Sequence, residues 1–305
     1  MITTLSRGAR SGWRENRILR RFLRNKLGLL GLTLVLVFIL VALLAPVIAP
    51  VPPNSYGSSF GIPNRMAQDG FSPIPQPPSS QHPLGLAQDG YDILFGLVWG
   101  TRTAFIVSGI VVTISLVVGA LVGTLAGFYR GWIDTLLMRF TDVVYAFPDL
   151  ILLITLVVAL GRNVTSLIIA TALLGWAGYA RLIRGEILKV RELEYVDAAR
   201  SLGANNRRLI LRHVLPNSLT SLLAQVSLNI GTVVLSFATL SFLGLGVPNG
   251  FPDWGQLINL SRNWVTEGQQ WYTYVYPGVT ILLFGVAWNL LSDALREAAD
   301  PRGQS

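Results

Sequence analysis

Long apolar runs separated by short polar stretches dominate the chain. Five windows free of Asp, Glu, Lys and Arg reach or approach the roughly 20 residues that a helix needs to cross the hydrocarbon core of a bilayer. They cover residues 27–50, 103–129, 163–180, 214–252 and 268–292. Such runs predict membrane-spanning helices, and the fold class that follows is an all-α integral membrane protein.

A sixth span is predicted in the segment LLMRFTDVVYAFPDLILLITLVVAL, residues 136–160. Its apolar part after Asp149 has 11 residues, about 16 Å of helix, which is too short to cross alone. The helix is therefore expected to start before Pro148 and to kink or break there. This interpretation places Asp149 within the membrane, where an ionisable side chain faces a cavity or a partner helix.

The second span carries a stripe of small residues. Gly119, Gly123 and Gly127 recur once per helical turn. Such a stripe predicts the close approach of a neighbouring helix and gives no information about cargo.

Basic residues collect in two stretches of the chain. The first 26 residues carry eight Lys or Arg and one Glu, and residues 181–212 carry eight basic and four acidic side chains. Because Lys and Arg concentrate in cytoplasmic segments, both stretches are predicted to be cytoplasmic. Residues 50–102 and 253–267 each have one more acid than base, as expected of the outer face. Six transmembrane helices with both termini inside the cell satisfy this pattern.

These patterns divide the chain into five parts. They are a basic cytoplasmic tail (1–26), a first transmembrane anchor (27–50), an extracytoplasmic loop (51–99), a five-helix core (100–296) and a cytoplasmic C-terminal tail (297–305). The composition agrees, with 51% hydrophobic residues, 13% charged residues and a mean hydropathy of +0.52. Most of the +8 net charge lies in the N-terminal tail, where topology and contact with lipid explain it better than nucleic-acid binding.

Motifs for catalysis and metal binding are missing from the sequence. It has no Walker A loop, no HExxH or GxSxG motif and no cysteine, and His82 and His213 fall outside the apolar runs. We therefore predict a chain that is not an enzyme, with no catalytic residue, no metal site and no cofactor of its own. The spans also hold few acids, which disfavours an ion-coupled carrier and indicates that another subunit supplies the energy.

A charged stretch at residues 192–216 interrupts the apolar pattern. ELEYVDAARSL combines helix formers with acids in its early turns, and Gly203 is the residue type best suited to end a helix. Asn205 or Asn206 can cap a second helix, RRLILRHVL, and Pro216 marks the start of the next span. The residues alone leave two interpretations open, a docking elbow for a cytoplasmic partner and an amphipathic loop on the lipid surface.

A family resemblance decides between these interpretations. Asp197-Ala198-Ala199, followed after three intervening residues by Gly203 and after twelve more by Pro216, resembles the EAA signature of the permeases of binding-protein-dependent ABC importers. Asp197 replaces the usual Glu. Four further passages resemble the dipeptide/oligopeptide/nickel-type C-subunit group: HPLGLAQDGYDILFGLVWGTR, GFYRGWIDTLLMRFTDVVYAFPDLIL, LSFLGLGV and LSDALREAADPR.

The resemblance implies a permease subunit that forms half of a heterodimeric pore for di- and oligopeptides, with nickel chelates or oligosaccharides as alternative cargo. Its partners would be a homologous second permease, two ATP-binding cassette ATPase subunits that hold ATP and Mg, and an extracytoplasmic solute-binding protein. The location implied is the prokaryotic plasma (inner) membrane, crossed several times. An ion-coupled secondary transporter and a non-transporting membrane scaffold stay open as other classes of function.

The resemblance also assigns residues to roles. A cytoplasmic coupling-helix elbow between spans 4 and 5 would contact the ATPase through Asp197, Ala198, Ala199, Arg200, Gly203 and Pro216. The candidates for lining the pore are Asp149, Asn229 and Ser236. Some positions depart from the group's pattern, in that apolar or aromatic residues replace polar or charged ones at Leu86, Ala87, Tyr91, Phe95 and Phe237. These departures predict an altered substrate path beside an intact coupling apparatus.

Overall fold

The structure, a computed structural model, describes residues 22–52, 57–218, 222–265, 268 and 270–299. The helices are α1 (Lys26–Ile48), α2 (Ile93–Tyr129), α3 (Gly131–Tyr145), α4 (Asp149–Leu160), α5 (Val164–Val190), α6 (Glu194–Ser201), α7 (Asn206–Leu209), α8 (Leu215–Ser218), α9 (Leu222–Phe242), α10 (Trp254–Ser261) and α11 (Tyr272–Ala299). A short antiparallel hairpin, β1 (Ser58–Ser59) and β2 (Ile62–Pro63), precedes α2.

The long helices have the length and composition of membrane spans. Five helices in the described part of the chain, α1, α2, α5, α9 and α11, are long and apolar enough to cross a bilayer. The bent pair α3 and α4 raises the number to six if it counts as one span. The helical membrane architecture expected from the sequence is confirmed at this level.

Two helices extend beyond the apolar windows that predict them. α2 begins at Ile93 because the Asp92 carboxylate accepts a 2.8 Å hydrogen bond from the Phe95 amide and caps the helix. α5 continues to Val190, well past the end of its window at residue 180. The 37 residues of α2 make about 55 Å of helix, so α2 extends beyond a hydrocarbon core of about 30 Å.

Glycines let α2 and α5 pack at close range. Gly119, Gly123 and Gly127 of α2 all face the backbone of α5. A Cβ atom on Gly123 would lie 2.5 Å from the Ala180 carbonyl oxygen and 3.0 Å from the Arg184 nitrogen. The predicted close helix approach is confirmed, and α5 is the partner.

The sixth predicted span is a bent pair of helices. α3 ends at Tyr145, α4 begins at Asp149, and their axes meet at 87°. Pro148 has the extended backbone of an N-cap (φ −60°, ψ 125°), so it starts α4 and does not continue α3. The break predicted at Pro148 is confirmed, and it places Asp149 in the first turn of α4.

Ion pairs hold α3 against α5. Arg184 donates through Nε and Nη2 to the two carboxylate oxygens of Asp134, each at 2.6 Å. Arg181 donates to Asp142 at 2.7 Å, and its guanidinium lies 4.0 Å from the centre of the Tyr145 ring. Bidentate pairing of the first kind fixes geometry as well as charge, so α3 is held in register along α5.

The window 214–252, predicted as a single span, is divided in the structure. α9 covers Leu222–Phe242, and the chain then turns where Gly244 and Gly246 adopt φ values of 75° and 92°. α10 follows, and its Trp254 side chain is buried and donates from Nε1 to a carbonyl of α2 at 3.0 Å. The apolar residues after 242 therefore fold back against other helices and do not prolong the span.

The first and last spans are in contact along one face. A Cβ atom on Gly31 of α1 would lie 2.8 Å from Leu290 Cβ and 2.9 Å from the Ala287 carbonyl oxygen of α11. At the end of the same interface, Asn25 Nδ2 donates to Glu297 Oε2 at 2.6 Å. The start of α1 and the end of α11 therefore lie at the same end of the helix bundle.

A histidine lies between two carboxylates in the segment before α2. His82 Nδ1 is 2.7 Å from Asp92 Oδ2, and His82 Nε2 is 3.1 Å from Asp69 Oδ2. The hydrogen bond with Asp92 raises the pKa of His82 above its ordinary value of 6.5, against a smaller effect of burial, and Asp69 adds to the rise. The stability contributed by this cluster is thus complete below about pH 6.5 and is lost as the pH rises through the folded pKa.

His82→Gln is expected to weaken the pH dependence of thermal stability. The melting temperature of the purified wild type should fall more steeply than that of the variant between about pH 6 and pH 9, because only the wild type loses a charged imidazole there. Scanning fluorimetry in detergent measures the difference. His213→Gln is the matched control and should follow the wild type. Equal slopes for wild type and His82→Gln would contradict the proposed role of the cluster.

Candidate functional site

The charged stretch between α5 and α9 forms a helical elbow, residues 194–218. α6 makes its first limb and ends just before Gly203, which has a φ of +82°. The Asn205 side chain then accepts a 2.9 Å hydrogen bond from the Arg208 amide and caps α7. The break predicted at Gly203 is confirmed, and of the two asparagines considered, Asn205 is the cap.

The second limb of the elbow runs through α7, a π-helical turn (Ile210–Val214) and α8. In the π turn the Leu215 amide donates to the Ile210 carbonyl. Pro216 follows within α8 and has no amide hydrogen to donate, so the wide turn comes just before the proline. Pro216 therefore lies inside the limb, and the connection from α8 to α9 lies outside the described residues.

One face of the elbow is buried against the long helices. Val196, Leu209 and Val214 are fully buried and belong to a single apolar cluster. From the spans, that cluster takes Phe128 of α2, Ile183 and Ile187 of α5, and Leu222 of α9. The elbow is thus joined by side-chain packing to three candidate spans at once.

The opposite face of the elbow is open. Arg200 Nη1 donates to Asp197 Oδ1 at 3.1 Å on this surface, and Leu202 is 89% exposed. Of the six residues that the resemblance assigns to coupling, Ala199 is half-buried and the other five are exposed: Asp197, Ala198, Arg200, Gly203 and Pro216. The exposed face is a short helix that ends in an apolar side chain at a sharp bend.

A cavity of about 240 Å³ lies between α4, α5, α9 and the end of α3. Its polar lining consists of Asp149, Thr171, Gln225, Asn229, Thr232 and Ser236, in addition to Tyr145. The three pore-lining candidates from the sequence are all among them. The structure therefore brings together at one cavity residues that are far apart in the chain: Asp149 and Ser236, 87 positions apart, both line it.

Polar side chains of α9 form one wall of the cavity. Gln225, Asn229, Thr232 and Ser236 follow one another at steps of four, three and four residues, which places them on one helical face. Gln225 Nε2 donates to Asn229 Oδ1 at 2.9 Å along this face. Sequence reasoning missed Gln225 and Thr232, although a polar stripe of this period within an apolar helix identifies them.

The opposite wall is built around the break between α3 and α4. Tyr145 and Asp149 flank the break and both line the cavity. Gly178 of α5 makes room for the Tyr145 ring, because a Cβ atom there would lie 3.1 Å from the hydroxyl oxygen. Sequence reasoning also missed Tyr145, because its place at the cavity depends on a bend whose angle the sequence does not specify.

Comparison with known proteins identifies the class of this chain. Residues 119–304 match the family described as binding-protein-dependent transport system inner membrane component, which is more than half of the chain. The chain belongs to this family of ABC importer permeases. Residues 13–78 match the family described as the N-terminal TM domain of oligopeptide transport permease C. The peptide-type C-subunit resemblance stated from the sequence motifs is therefore confirmed.

Two relatives match the permease over nearly its full length. The glutathione transport system permease protein GsiD of Pectobacterium atrosepticum is 34% identical over 309 residues, which cover 100% of this chain and 97% of that protein. The dipeptide transport system permease protein DppC of Alkalihalophilus pseudofirmus is 36% identical over 295 residues, covering 97% and 91%. A solved structure of the MetNI methionine ABC transporter in inward-facing conformations shares the fold, with a TM-score of 0.52, 18% identity, and coverage of 66% of this chain and 96% of that one.

The departures from the family pattern do not line the described cavity of the permease. Phe237 follows Ser236 in α9, yet it is 4% exposed and packs in an apolar cluster with Leu240. The other four departures are buried near the start of α2: Leu86, Ala87, Tyr91 and Phe95. The altered substrate path expected from these five positions is not found at this cavity.

In the described part of the permease, no group of three or more His, Cys, Asp or Glu side chains is arranged so that it could hold a metal ion. The family itself is one of transport components. Two features are therefore candidate functional sites. The elbow has an exposed face on which a partner could dock, and the cavity is a polar space between candidate spans.

Proposed function

We propose that this permease forms half of a heterodimeric pore in an ATP-driven importer of the prokaryotic inner membrane, and that its cargo is a di- or oligopeptide. A homologous second permease supplies the other half. Two ATP-binding cassette subunits, which hold ATP and Mg, bind on the cytoplasmic side, and an extracytoplasmic solute-binding protein delivers the cargo. Residues 1–26 and 297–305 are cytoplasmic tails, 51–99 face the outside, and 100–296 form the core behind the 27–50 anchor.

The contact between α1 and α11 supports six crossings with both termini inside. The hydrogen bond from Asn25 to Glu297 joins the start of α1 to the end of α11. These two helices therefore run antiparallel, and an antiparallel first and last span require an even number of crossings. The bent pair α3 and α4 then supplies the sixth crossing. The basic residues of 181–212 are placed on the cytoplasmic side by the same rule that orients the N-terminal tail.

The observation that carries the proposal is the packing of the elbow against the long helices. Its buried face packs on α2, α5 and α9, and α5 and α9 also carry walls of the cavity. A force applied to the exposed face of α6 thus reaches the cavity through side chains in direct contact. In this proposal Asp197, Ala198, Ala199 and Arg200 form the ATPase-docking surface, Gly203 sets its angle, and Pro216 belongs to the limb that leads to α9.

Peptide cargo is supported by the relatives, whose names specify glutathione and dipeptides. The cavity fits such cargo chemically. A peptide that leaves water needs a hydrogen-bond partner for each of its amide groups, and the amides and hydroxyls of the α9 stripe offer donors and acceptors. We assign the lining of the translocation path to Asp149, Asn229 and Ser236, together with the neighbouring polar residues of α9.

Reconstitution of the assembled importer tests this function. In proteoliposomes that contain both permeases and both ATPase subunits, peptide-loaded binding protein is expected to stimulate ATP hydrolysis and to drive peptide uptake, and ATPase subunits that bind but do not hydrolyse ATP should abolish uptake. The isolated chain under an ion gradient should transport nothing. Transport by the isolated chain would identify a secondary carrier, and docking without cargo-stimulated ATPase activity would identify a scaffold. Stimulation by a nickel chelate or an oligosaccharide alone would reject peptide cargo.

A further inference from the structure

The charge of the cavity is not balanced within this chain. Asp149 is the one charged side chain among the described lining residues, and the others are apolar, amide, hydroxyl or glycine. A carboxylate at neutral pH only accepts hydrogen bonds, whereas the amide and hydroxyl groups around it both donate and accept. A cavity with one negative charge and no positive charge complements a molecule that carries a cationic group.

Asp149 differs from the other acids near the break in having no cation of its own. On α3, Asp134 is occupied by Arg184 and Asp142 by Arg181, both at hydrogen-bonding distance. Arg181 is further engaged by the Tyr145 ring. Among the described residues, the Asp149 side chain makes no hydrogen bond and no ion pair. The two arginines that α5 directs at α3 are therefore already paired, and the carboxylate of Asp149 is left to accept a cation from outside the chain.

We propose that Asp149 binds the side-chain ammonium group of lysine-containing peptide cargo and thereby selects cargo for positive charge. The inference rests on the proposed function and names the chemistry that this half of the path recognises. An ammonium group has three hydrogens to donate. Asp149 accepts one of them from the α4 wall, and the amide and hydroxyl oxygens of the α9 wall are candidate acceptors for the others. A glutamate side chain of the cargo meets no basic side chain among the described lining residues, so this half of the path favours a cationic side chain over an anionic one.

The position of Phe237 is consistent with cation recognition by Asp149. The resemblance to the C-subunit group implies a polar or charged residue at this position, and its replacement by phenylalanine predicts an altered substrate path. Phe237 lies in the apolar cluster behind the wall, however, and Asp149 provides a carboxylate to the cavity from α4. The break at Pro148 is what makes this possible, because it starts α4 with Asp149 at the cavity.

The test compares cargo of opposite charge in the complete importer. Uptake of Ala-Lys-Ala and of Ala-Glu-Ala is measured in proteoliposomes at saturating binding protein, as peptide transported per ATP hydrolysed, for wild type and Asp149→Asn. The binding protein is the same in both, so any change in the Lys-to-Glu uptake ratio comes from the permease. Asp149→Asn is expected to lower this ratio about tenfold, which corresponds to about 1.4 kcal/mol. Asp149→Glu, which keeps the charge, should stay within about twofold of wild type.

Asp293→Asn is the matched control, because Asp293 is an exposed acid near the end of α11 that does not line the cavity. It should leave the ratio unchanged. An unchanged ratio in Asp149→Asn, or equal losses for both peptides, would overturn the proposal and assign Asp149 to helix structure. If the wild-type importer transports neither peptide, the proposed cargo fails instead, and the two failures are thereby distinguished. If Asp149→Asn does not assemble, a shift of the ratio in Asp149→Glu by more than about tenfold overturns the proposal on its own.

Discussion

Gly123→Ala is expected to destabilise the folded permease by about 1–3 kcal/mol, the usual penalty for adding a methyl group where no space exists. The added Cβ would lie 2.5 Å from the Ala180 carbonyl oxygen and 3.0 Å from Ile183 Cβ. A backbone oxygen cannot rotate away as a side chain does, so α2 and α5 must separate along their length. Thermal unfolding in detergent and the yield of folded protein measure the effect.

Gly109→Ala is the control for this prediction. Gly109 lies in the same helix, and no atom lies within 4 Å of the place that its Cβ would take. Alanine also favours a helix by up to about 1 kcal/mol over glycine, so this variant should be as stable as the wild type or slightly more so. Equal stability of Gly123→Ala and Gly109→Ala would show that the glycine stripe does not set the distance between the helices.

Gly203→Val is expected to abolish coupled transport while the chain still folds. Gly203 has a φ of +82°, which a β-branched residue adopts only at a cost of about 1–2 kcal/mol or more. No atom within 4 Å would meet the new Cβ, so the strain acts on the backbone angle and not on the packing. Relief of that strain reorients α6 relative to the second limb, and the docking surface no longer matches the ATPase. Uptake in proteoliposomes should fall by more than about tenfold.

The matched control for Gly203→Val is Gly70→Val. Gly70 also has a positive φ, +63°, and open space around its Cβ position, but it lies in the segment before α2. It carries the same backbone strain away from the elbow and should keep cargo-stimulated ATP hydrolysis. Normal coupling in Gly203→Val, or an equal defect in both variants, would refute the coupling role of the elbow.

Features of the fold that depend on local backbone chemistry were predictable from the sequence. The breaks at Gly203 and Pro148 follow from the conformations that these two residue types allow, and both are present. Helix ends that depend on capping or on tertiary packing were less predictable from the sequence. Asp92 caps α2 well before its apolar window begins, and the residues after Phe242 are apolar whether the chain continues as a span or folds back.

Residue type identified part of the candidate site, and the three-dimensional arrangement supplied the rest. Asp149, Asn229 and Ser236 stand out as polar residues in apolar helices. The exclusion of Phe237 from the cavity could not be read in the same way, because neighbours in a helix are separated by about 100° of rotation and only the packing says which one faces inward. Tyr145 required the 87° bend between α3 and α4 to be known.

The contact between α1 and α11 has a consequence for the order of assembly. Asn25 and Glu297 are separated by 272 positions, so their hydrogen bond cannot form until nearly all of the chain has been synthesised. During translation α1 enters the bilayer first, with Gly28 and Gly31 facing lipid in place of α11. Closing the first helix onto the last is therefore a late, post-insertion step, and early termination of the chain within α11 leaves the N-terminal helix without its natural neighbour.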